Sequence, residues 1–398
     1  MKDLYKESLR LHEKKKGKLE VRPKVKLKTK RDLSLAYTPG VAQVCREIAK
    51  DKDKAYKYTI KSNTVAVVTD GSAVLGLGNI GGYAAIPVME GKAALFKEFA
   101  NIDAFPICFE GYHIDFIEDV KNIAPIFGGI NLEDIAAPKC FELEEALQDL
   151  GIPVMHDDQH GTAIVVLAAL INACKVTNRK LEGLVVVING AGAAGYAIFK
   201  LLRCLGIDKK ICREVKEIFV CDRKGLIYRG RKDLLNNKYK YIISQETNHE
   251  KRKGKLENAL KGADVFIGVS APNILKPDMI KSMNKDPIVF ALANPVPEIM
   301  PDKAKKAGAA VVGTGRSDFS NQINNVLAFP GIFRGALDAC ATKITQEMKI
   351  AAAHALANYL KRTSKEKILP NILDKNVTKK VAKAVKKAAI ESGCSRNP

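Results

Sequence analysis

The amino-acid sequence predicts an α/β fold: an N-terminal α/β substrate domain, a doubly wound Rossmann-type nucleotide-binding domain, and C-terminal helices. Three observations predict it. Strand-like and helix-like runs alternate from Thr64, a second and cleaner alternation begins at Gly183, and the text turns helical from about Gly331. Alternation of this kind encodes parallel sheets covered by helices. The expected divisions are residues 1–160, 161–335 and 336–398, with the first boundary near DDQHG.

The opening thirty residues read as a solvent-facing basic helix. At Tyr37 the turn YTPG redirects the chain, because Thr38 precedes a proline and Gly40 follows it. TVAVVTD is a strand, PVMEGKAALFKEFA a helix entered at Pro87, and DAFPICF a strand. IAPIFGGINLED is a strand and loop, FELEEALQDLG a helix, and PVMHDD a strand ending in a loop. TAIVVLAALINACKVT is the longest apolar run and reads as a buried helix, too short to span a bilayer. LVVVIN, AGYAIFKLLRCLG and EIFVCD form one βαβ unit. DVFIGVS, PIVFALANP and AAVVGTG continue the sheet, and FRGALDACATKITQEMKIAAAHALANYL is one long Ala-rich helical stretch.

Composition narrows the class. The chain has 398 residues and is 46% hydrophobic, enough to fill substantial cores. Nine scattered cysteines without a C-x-x-C pair suggest neither a zinc site nor a disulfide framework, and so a reducing compartment such as cytosol. The net charge of +21 concentrates at the two ends, whose Lys runs lack interleaved aromatics and read as solvated helix faces rather than a nucleic-acid surface. A positive field would also draw an anionic substrate and cofactor.

Two stretches match the G-x-G-x-x-G pattern. GAGAAG (Gly190, Ala191, Gly192, Ala193, Ala194, Gly195) follows LVVVIN directly, opens a helix, and precedes a strand ending at Asp222. Those surroundings suit a pyrophosphate at a helix amino end and a ribose held by the acid. The longer spacing to Asp222 implies an insertion around IDKKICREV. GLGNIGG, from Gly76, is separated from its strand by SAVL and lacks an acid at the end of the next strand. It reads either as a flexible turn or as a loop that lets the backbone approach another ligand closely.

The pairs Glu133-Asp134 and Asp157-Asp158 follow consecutive strands of one series, where loops at the carboxyl ends converge. Carboxylate oxygens suit Mg²⁺ or Mn²⁺, and without further His or Cys at metal-like spacing an oxygen site is favoured over zinc. Lys92 lies within the first turns of a helix among apolar neighbours, where desolvation and a nearby cation would lower its pKa.

YTPGVA, TDGSAVLGLGNIGG, GKAALF, NLEDI, HDDQHGTA, NGAGAAG, ANP and NNVLAFPGIFRGAL occur in the order seen in malic enzymes, and the chain resembles the short form of that family from Tyr37 to about Leu337. The resemblance implies oxidative decarboxylation of L-malate to pyruvate and CO₂ with reduction of NAD⁺ or NADP⁺. It implies Glu133, Asp134 and Asp158 as metal ligands with Asp157 adjacent, Lys92 as general base, and Tyr37 as the acid that protonates the enol. Asn294 and Asn325 would bind substrate carboxylates, with Asn294 also near the cofactor, and Leu75 would line the malate pocket. Large-subunit members carry an arginine where this chain has Ala73, so a basic residue of a partner subunit is expected to substitute, Lys61 being the candidate. Short forms are similar in sharing active sites across a homodimer, with Tyr37 donated by the neighbour. Asp222 favours NAD⁺ by repelling a 2′-phosphate, while Arg223 and Lys224 leave NADP⁺ open. Competing readings are a metal-dependent oxaloacetate decarboxylase, against which GAGAAG and Asp222 argue, and a basic nucleic-acid-binding protein on a dehydrogenase fold, which rests on charge alone.

Overall fold

In the computed structural model, residues 2–74, 76–111 and 115–396 are described. The amino-terminal segment is helical: α1 (Lys2–Lys15), α2 (Lys30–Ala36), α3 (Val41–Lys50) and α4 (Lys54–Tyr58). Helices α2 to α4 bury no residue, and Leu9, Val21, Leu27, Leu35 and Tyr37 stand exposed.

A first sheet follows, from β1 (Thr64–Thr69), α5 (Gly81–Ala100), β2 (Asp103–Cys108), α6 (Phe116–Ile123), β3 (Gly129–Leu132), α7 (Lys139–Ala146) and β4 (Val154–His156). Its strands are parallel in the order β2-β1-β3-β4. The order reverses between β1 and β3, and the crevice outside their carboxyl ends is where such sheets bind ligands. α8 (Asp157–Thr177) leaves β4 directly and runs unbroken past residue 161.

The second sheet comprises β5 (Val185–Asn189), α9 (Ala193–Leu202), β6 (Glu217–Asp222), β7 (Gly225–Leu226), α10 (Lys238–Glu246), α11 (Leu256–Leu260), β8 (Val265–Gly268), α12 (Pro277–Lys281), β9 (Ile288–Ala291), α13 (Pro301–Lys306) and β10 (Val311–Thr314). Its order is β10-β9-β8-β5-β6-β7, parallel except for β7. The switch between β5 and β8 is the doubly wound signature. α14 (Phe329–Asp338), α15 (Gln346–Ala357) and α16 (Lys375–Glu391) return to the first half of the chain, α14 and α16 against α5 and α15 against α8.

Several expectations change. α5 begins at Gly81, six residues before Pro87, which sits inside the helix on its exposed side. There the carbonyl it leaves unbonded faces water, so the lost hydrogen bond is tolerated. Asp157 and Asp158 are not in a loop but form the first turn of α8, whose positive end favours acids. The Ala-rich stretch after Gly331 is two helices broken between Asp338 and Gln346. α8 is long and apolar enough to cross a membrane by length and composition, yet most of it is buried inside the protein, against α9 and α15. Cys204 and Cys212 form a disulfide across the inserted loop between α9 and β6, so the cysteine count is no guide to compartment. The lysines of α16 lie on its exposed face opposite buried Val377, Val381 and Val385, as a solvated face requires.

Candidate active site

α5 presents Ala85, Met89, Lys92, Ala93 and Phe96 on its buried face, so the helix period itself carries Lys92 inward, three turns from the helix start. Its ammonium lies 2.8 Å from Glu133 Oε1 and 2.6 Å from Asp157 Oδ2, and 4.2 Å from the centre of the Phe329 ring. Burial alone would depress this lysine, but Asp157, Glu133 and Asp158 outweigh it and hold the ammonium above the usual lysine range. The charges nearest Lys92 within the chain are carboxylates, so the expected lowering would require the cation that these carboxylates fit.

Glu133 follows β3 and Asp157 follows β4, on neighbouring strands of the switch-point crevice. Burial pushes both carboxyls up to about 7, against the pull of Lys92. Asp158, a third exposed, is pushed up to about 6 by desolvation, with Lys92 opposing and Asp157 adding to the rise. Asp134 adopts a left-handed backbone (φ 52°), and its amide donates to Asp158 Oδ2 at 2.8 Å. One carboxylate oxygen from each of Glu133, Asp134 and Asp158 lies within 4.8 Å of the others. Three carboxylates crowded at the end of a sheet repel one another, Glu133 and Asp158 are pushed toward their protonated forms, and a hard divalent cation would relieve both effects. This all-carboxylate set fits Mg²⁺ or Mn²⁺, with the His156 Nε2 3.4 Å from Asp158 Oδ2 beside it.

Supporting polar groups were less legible in the text. Asn131 donates to Glu133 Oε2 at 2.8 Å, and Asn325 donates to Asp157 Oδ2 at 2.7 Å, which fixes both partners of Lys92. Asp70, at the carboxyl end of β1, accepts from Ser72 Oγ and pairs with Lys139 at 2.8 Å. It follows β1 directly as Glu133 follows β3, and that shared place just past a strand is the sequence signal for it. The loop that begins with Ala73 is tied to Asp134 by a 2.9 Å backbone hydrogen bond. Gly76 faces the second sheet: a Cβ there would stand 3.3 Å from Pro295 and 3.4 Å from the Asn294 carbonyl. GLGNIGG therefore closes the gap between the crevice and the loop after β9, and Asn294 stands at that junction. Leu75 lies outside the described residues.

Tyr37 and Lys61 do not join this cluster within the chain. The Tyr37 ring is 67% exposed and makes no hydrogen bond among the described residues. Lys61 precedes the amino end of β1, a strand length of about 20 Å from the crevice. Its ammonium donates to the Phe127 and Pro125 carbonyls at 2.6 and 3.0 Å.

The nucleotide loop lies at the second switch point, on a cleft of about 950 Å³ that reaches from Gly190 to Asp222 and Lys240. Gly190 (φ +122°) packs on the Val269 carbonyl, and a Cβ on Gly195 would strike Gly190. A Cβ on Gly192, by contrast, would meet nothing within 4 Å, so its bareness serves no internal packing. Ala193 and Ala194 form the first turn of α9 behind it. This cradle fits a pyrophosphate at the amino end of α9.

Asp222 ends β6 as expected, but its carboxylate is already engaged. Oδ1 accepts from the Lys224 amide at 2.9 Å and Arg231 Nη1 at 3.1 Å; Oδ2 accepts from Arg231 Nη2 at 2.5 Å and Lys240 Nζ at 2.9 Å. These hydrogen bonds outweigh desolvation and hold its pKa down to about 2. A carboxylate offers about four lone-pair sites, and all are used. Arg231 and Lys240 lie 9 and 18 residues downstream, too far for local spacing to announce them.

Residues 16–113 match the family model for the malic enzyme N-terminal domain, and residues 159–390 match that for the malic enzyme NAD binding domain. The chain is 55% identical to the bifunctional malic/malolactic enzyme of Bacillus subtilis, over 99% of its own length and 95% of the relative's. It is 54% identical to the NAD-dependent malic enzyme of Geobacillus stearothermophilus, over 96% and 78%. It is 47% identical to the NADP-dependent malic enzyme of Escherichia coli, over 96% and 52%. Among solved structures, the NAD-dependent malic enzyme of Thermotoga maritima superposes with a TM-score of 0.90 at 52% identity, covering 95% of this chain and 98% of that one.

Proposed function

This chain belongs to the malic enzyme family, and from that membership we propose how its residues carry out the oxidative decarboxylation of L-malate to pyruvate and CO₂ with reduction of NAD⁺ or NADP⁺. The observation that carries the reading is the placement of Lys92 between Glu133 and Asp157, beside three converging carboxylates. Residues 1–160 supply base and ligands, residues 161–335 most of the cofactor cleft, to which Ala137, Pro138 and Phe141 add a wall, and residues 336–398 the last helices.

Glu133, Asp134 and Asp158 would hold Mg²⁺ or Mn²⁺. A bound cation offsets the carboxylate charge that keeps Lys92 protonated and polarises the substrate oxygens. Lys92 would take the malate hydroxyl proton, with Asp157, braced by Asn325, keeping the amine oriented; the nicotinamide of a cofactor held at GAGAAG would supply the hydride acceptor. Asn294 and Asn325 hold substrate carboxylates at the junction of the two sheets. The enol left by loss of CO₂ needs a proton at carbon. We assign that step to Tyr37 of a second copy of the chain, because the exposed apolar residues of the amino-terminal helices call for a cover and the Tyr37 side chain makes no hydrogen bond among the described residues of its own copy. Malate with Mn²⁺ should reduce NAD⁺ or NADP⁺ and yield pyruvate. Reduction of neither cofactor would overturn the reading. Lactate is measured in the same assay, because the Bacillus subtilis relative is named for both activities.

Cofactor choice rests on the latch around Asp222. With its lone pairs filled by Arg231, Lys240 and the Lys224 amide, the acid neither offers an open acceptor to a ribose diol nor repels a 2′-phosphate as an unpaired acid would. This moves the balance away from NAD⁺ and toward acceptance of NADP⁺. Lys240→Met removes one cation and frees one acceptor. The kcat/KM ratio should move toward NAD⁺ by about tenfold, the worth of one charge-assisted hydrogen bond. An unchanged ratio in parallel rate measurements would remove the latch from cofactor selection.

A further inference from the structure

Behind α8, on the side away from the metal carboxylates, lies a cavity of about 1050 Å³ walled by α7, α9, α15 and the end of α16. It is larger than the nucleotide cleft, and nothing in the proposed reaction uses it. The amino end of α15 borders it through Thr345, Gln346 and Glu347. Lys349, one turn into α15, is 6% exposed and lines the cavity without a hydrogen-bond or ion-pair partner among the described residues. Burial pushes this lysine down to about 8, Glu144 opposing and Lys200 assisting the shift. Lys200 lines the same wall, its ammonium 5.6 Å from the centre of the Tyr196 ring. An adjoining recess is lined by Lys200, Lys349, His160 and Gln346 with apolar neighbours, and by no acid. Glu145, Asp208 and Glu391 stand exposed at the rim, and Glu347 is half-buried. Tyr196 and Phe141 supply an aromatic wall, their ring centres 4.9 Å apart.

We propose that this cavity is a second anion-binding site, for an organic anion whose phosphate or carboxylate head meets Lys349, Lys200 and the amino end of α15 while its apolar body lies on Tyr196 and Phe141. The Lys349 ammonium opens on the cavity with Glu144 as its nearby opposite charge and no hydrogen bond to it among the described residues, and an anion is favoured where a helix end already favours negative charge. The site has a path to the catalytic turn. Glu144, on its wall, accepts from His160 Nε2 at 2.9 Å, from Gln159 Nε2 at 3.2 Å and from the His156 amide at 3.1 Å. These three donors flank Asp157 and Asp158 in sequence, so an anion that draws on His160 or Lys349 reaches the turn that holds both carboxylates.

Calorimetry on the full chain tests this with phenyl phosphate and phenylacetate, which separate phosphate from carboxylate heads. One of the two should bind with a dissociation constant below about 1 mM. Lys349→Met and Lys200→Met should each weaken it tenfold or more, and Lys375→Met, a surface control on α16, should not. Lys349→Met should also melt no lower than the unaltered chain, since it removes a desolvated charge that makes no hydrogen bond among the described residues. Absence of binding by both probes, binding indifferent to Lys349 and Lys200, or competition with malate would each overturn the proposal. So would a lower melting point of Lys349→Met with binding unchanged, the mark of a lysine that merely supports Glu144. Coupling to the catalytic turn rests on the proposed reaction: saturating probe should shift the KM for malate at least twofold in the unaltered chain and not in Lys349→Met. An enzyme inert toward malate would fail the reaction while leaving the binding result to stand.

Discussion

Lys92→Met should lower malate oxidation by about a hundredfold to ten-thousandfold, the range associated with losing a positioned general base. The methionine keeps the apolar stem against Phe329 and removes only the ammonium that bridges Glu133 and Asp157. Because those two carboxyls already sit near 7 with Lys92 present, they can take up protons in its absence, so the fold should survive. Circular dichroism and a melting curve establish that, and turnover with malate and Mn²⁺ measures the loss. Mixing the variant with Tyr37→Phe adds a second reading. If each site is completed by the neighbour's tyrosine, hybrid dimers contain one site with both native residues and regain up to half of the activity. No recovery after subunit exchange would confine Tyr37 to some other role. Near-normal turnover of Lys92→Met alone would remove it as the base.

Asp158→Asn should abolish the stabilisation that Mn²⁺ gives the unaltered chain. A cation at a hundred times its dissociation constant contributes about 2.7 kcal/mol to the folded state. The asparagine keeps an acceptor for the Asp134 amide, 2.8 Å away, and loses the charge that the cation needs. Thermal melts with and without Mn²⁺ should therefore differ for the unaltered chain and coincide for the variant, with the metal-free curves of the two close together. A variant that still rises with Mn²⁺ would move the metal elsewhere.

How far the text reached varied with the range of the interaction. GAGAAG was separable from GLGNIGG because its strand, helix and acid are local, and the structure puts it at the β5–β8 switch point. Glu133, Asp134 and Asp158 could be gathered because each ends or follows a strand, and strand ends converge. The carboxylate partners of Lys92, 41 and 65 residues away, are invisible to local context. The same holds for the Asp222 latch, which no motif around CDRKG announces. The interior position of Pro87 escaped because a proline is expected at a helix start, and only the exposed side of α5 makes its place admissible.

The return of the last helices to the first sheet has a consequence for how the protein is made. α14 and α16 pack on α5, and Arg396 reaches back to the Tyr56 hydroxyl and the Gly151 carbonyl. A ribosome delivers β1 to β4 long before it delivers their final cover, so the apolar back of α5 waits through the synthesis of the whole second sheet. During that interval the first half lacks its final cover, while the second sheet, whose strands are contiguous from Val185 to Thr314, can fold ahead of it. The half of the molecule translated first is thus the half completed last.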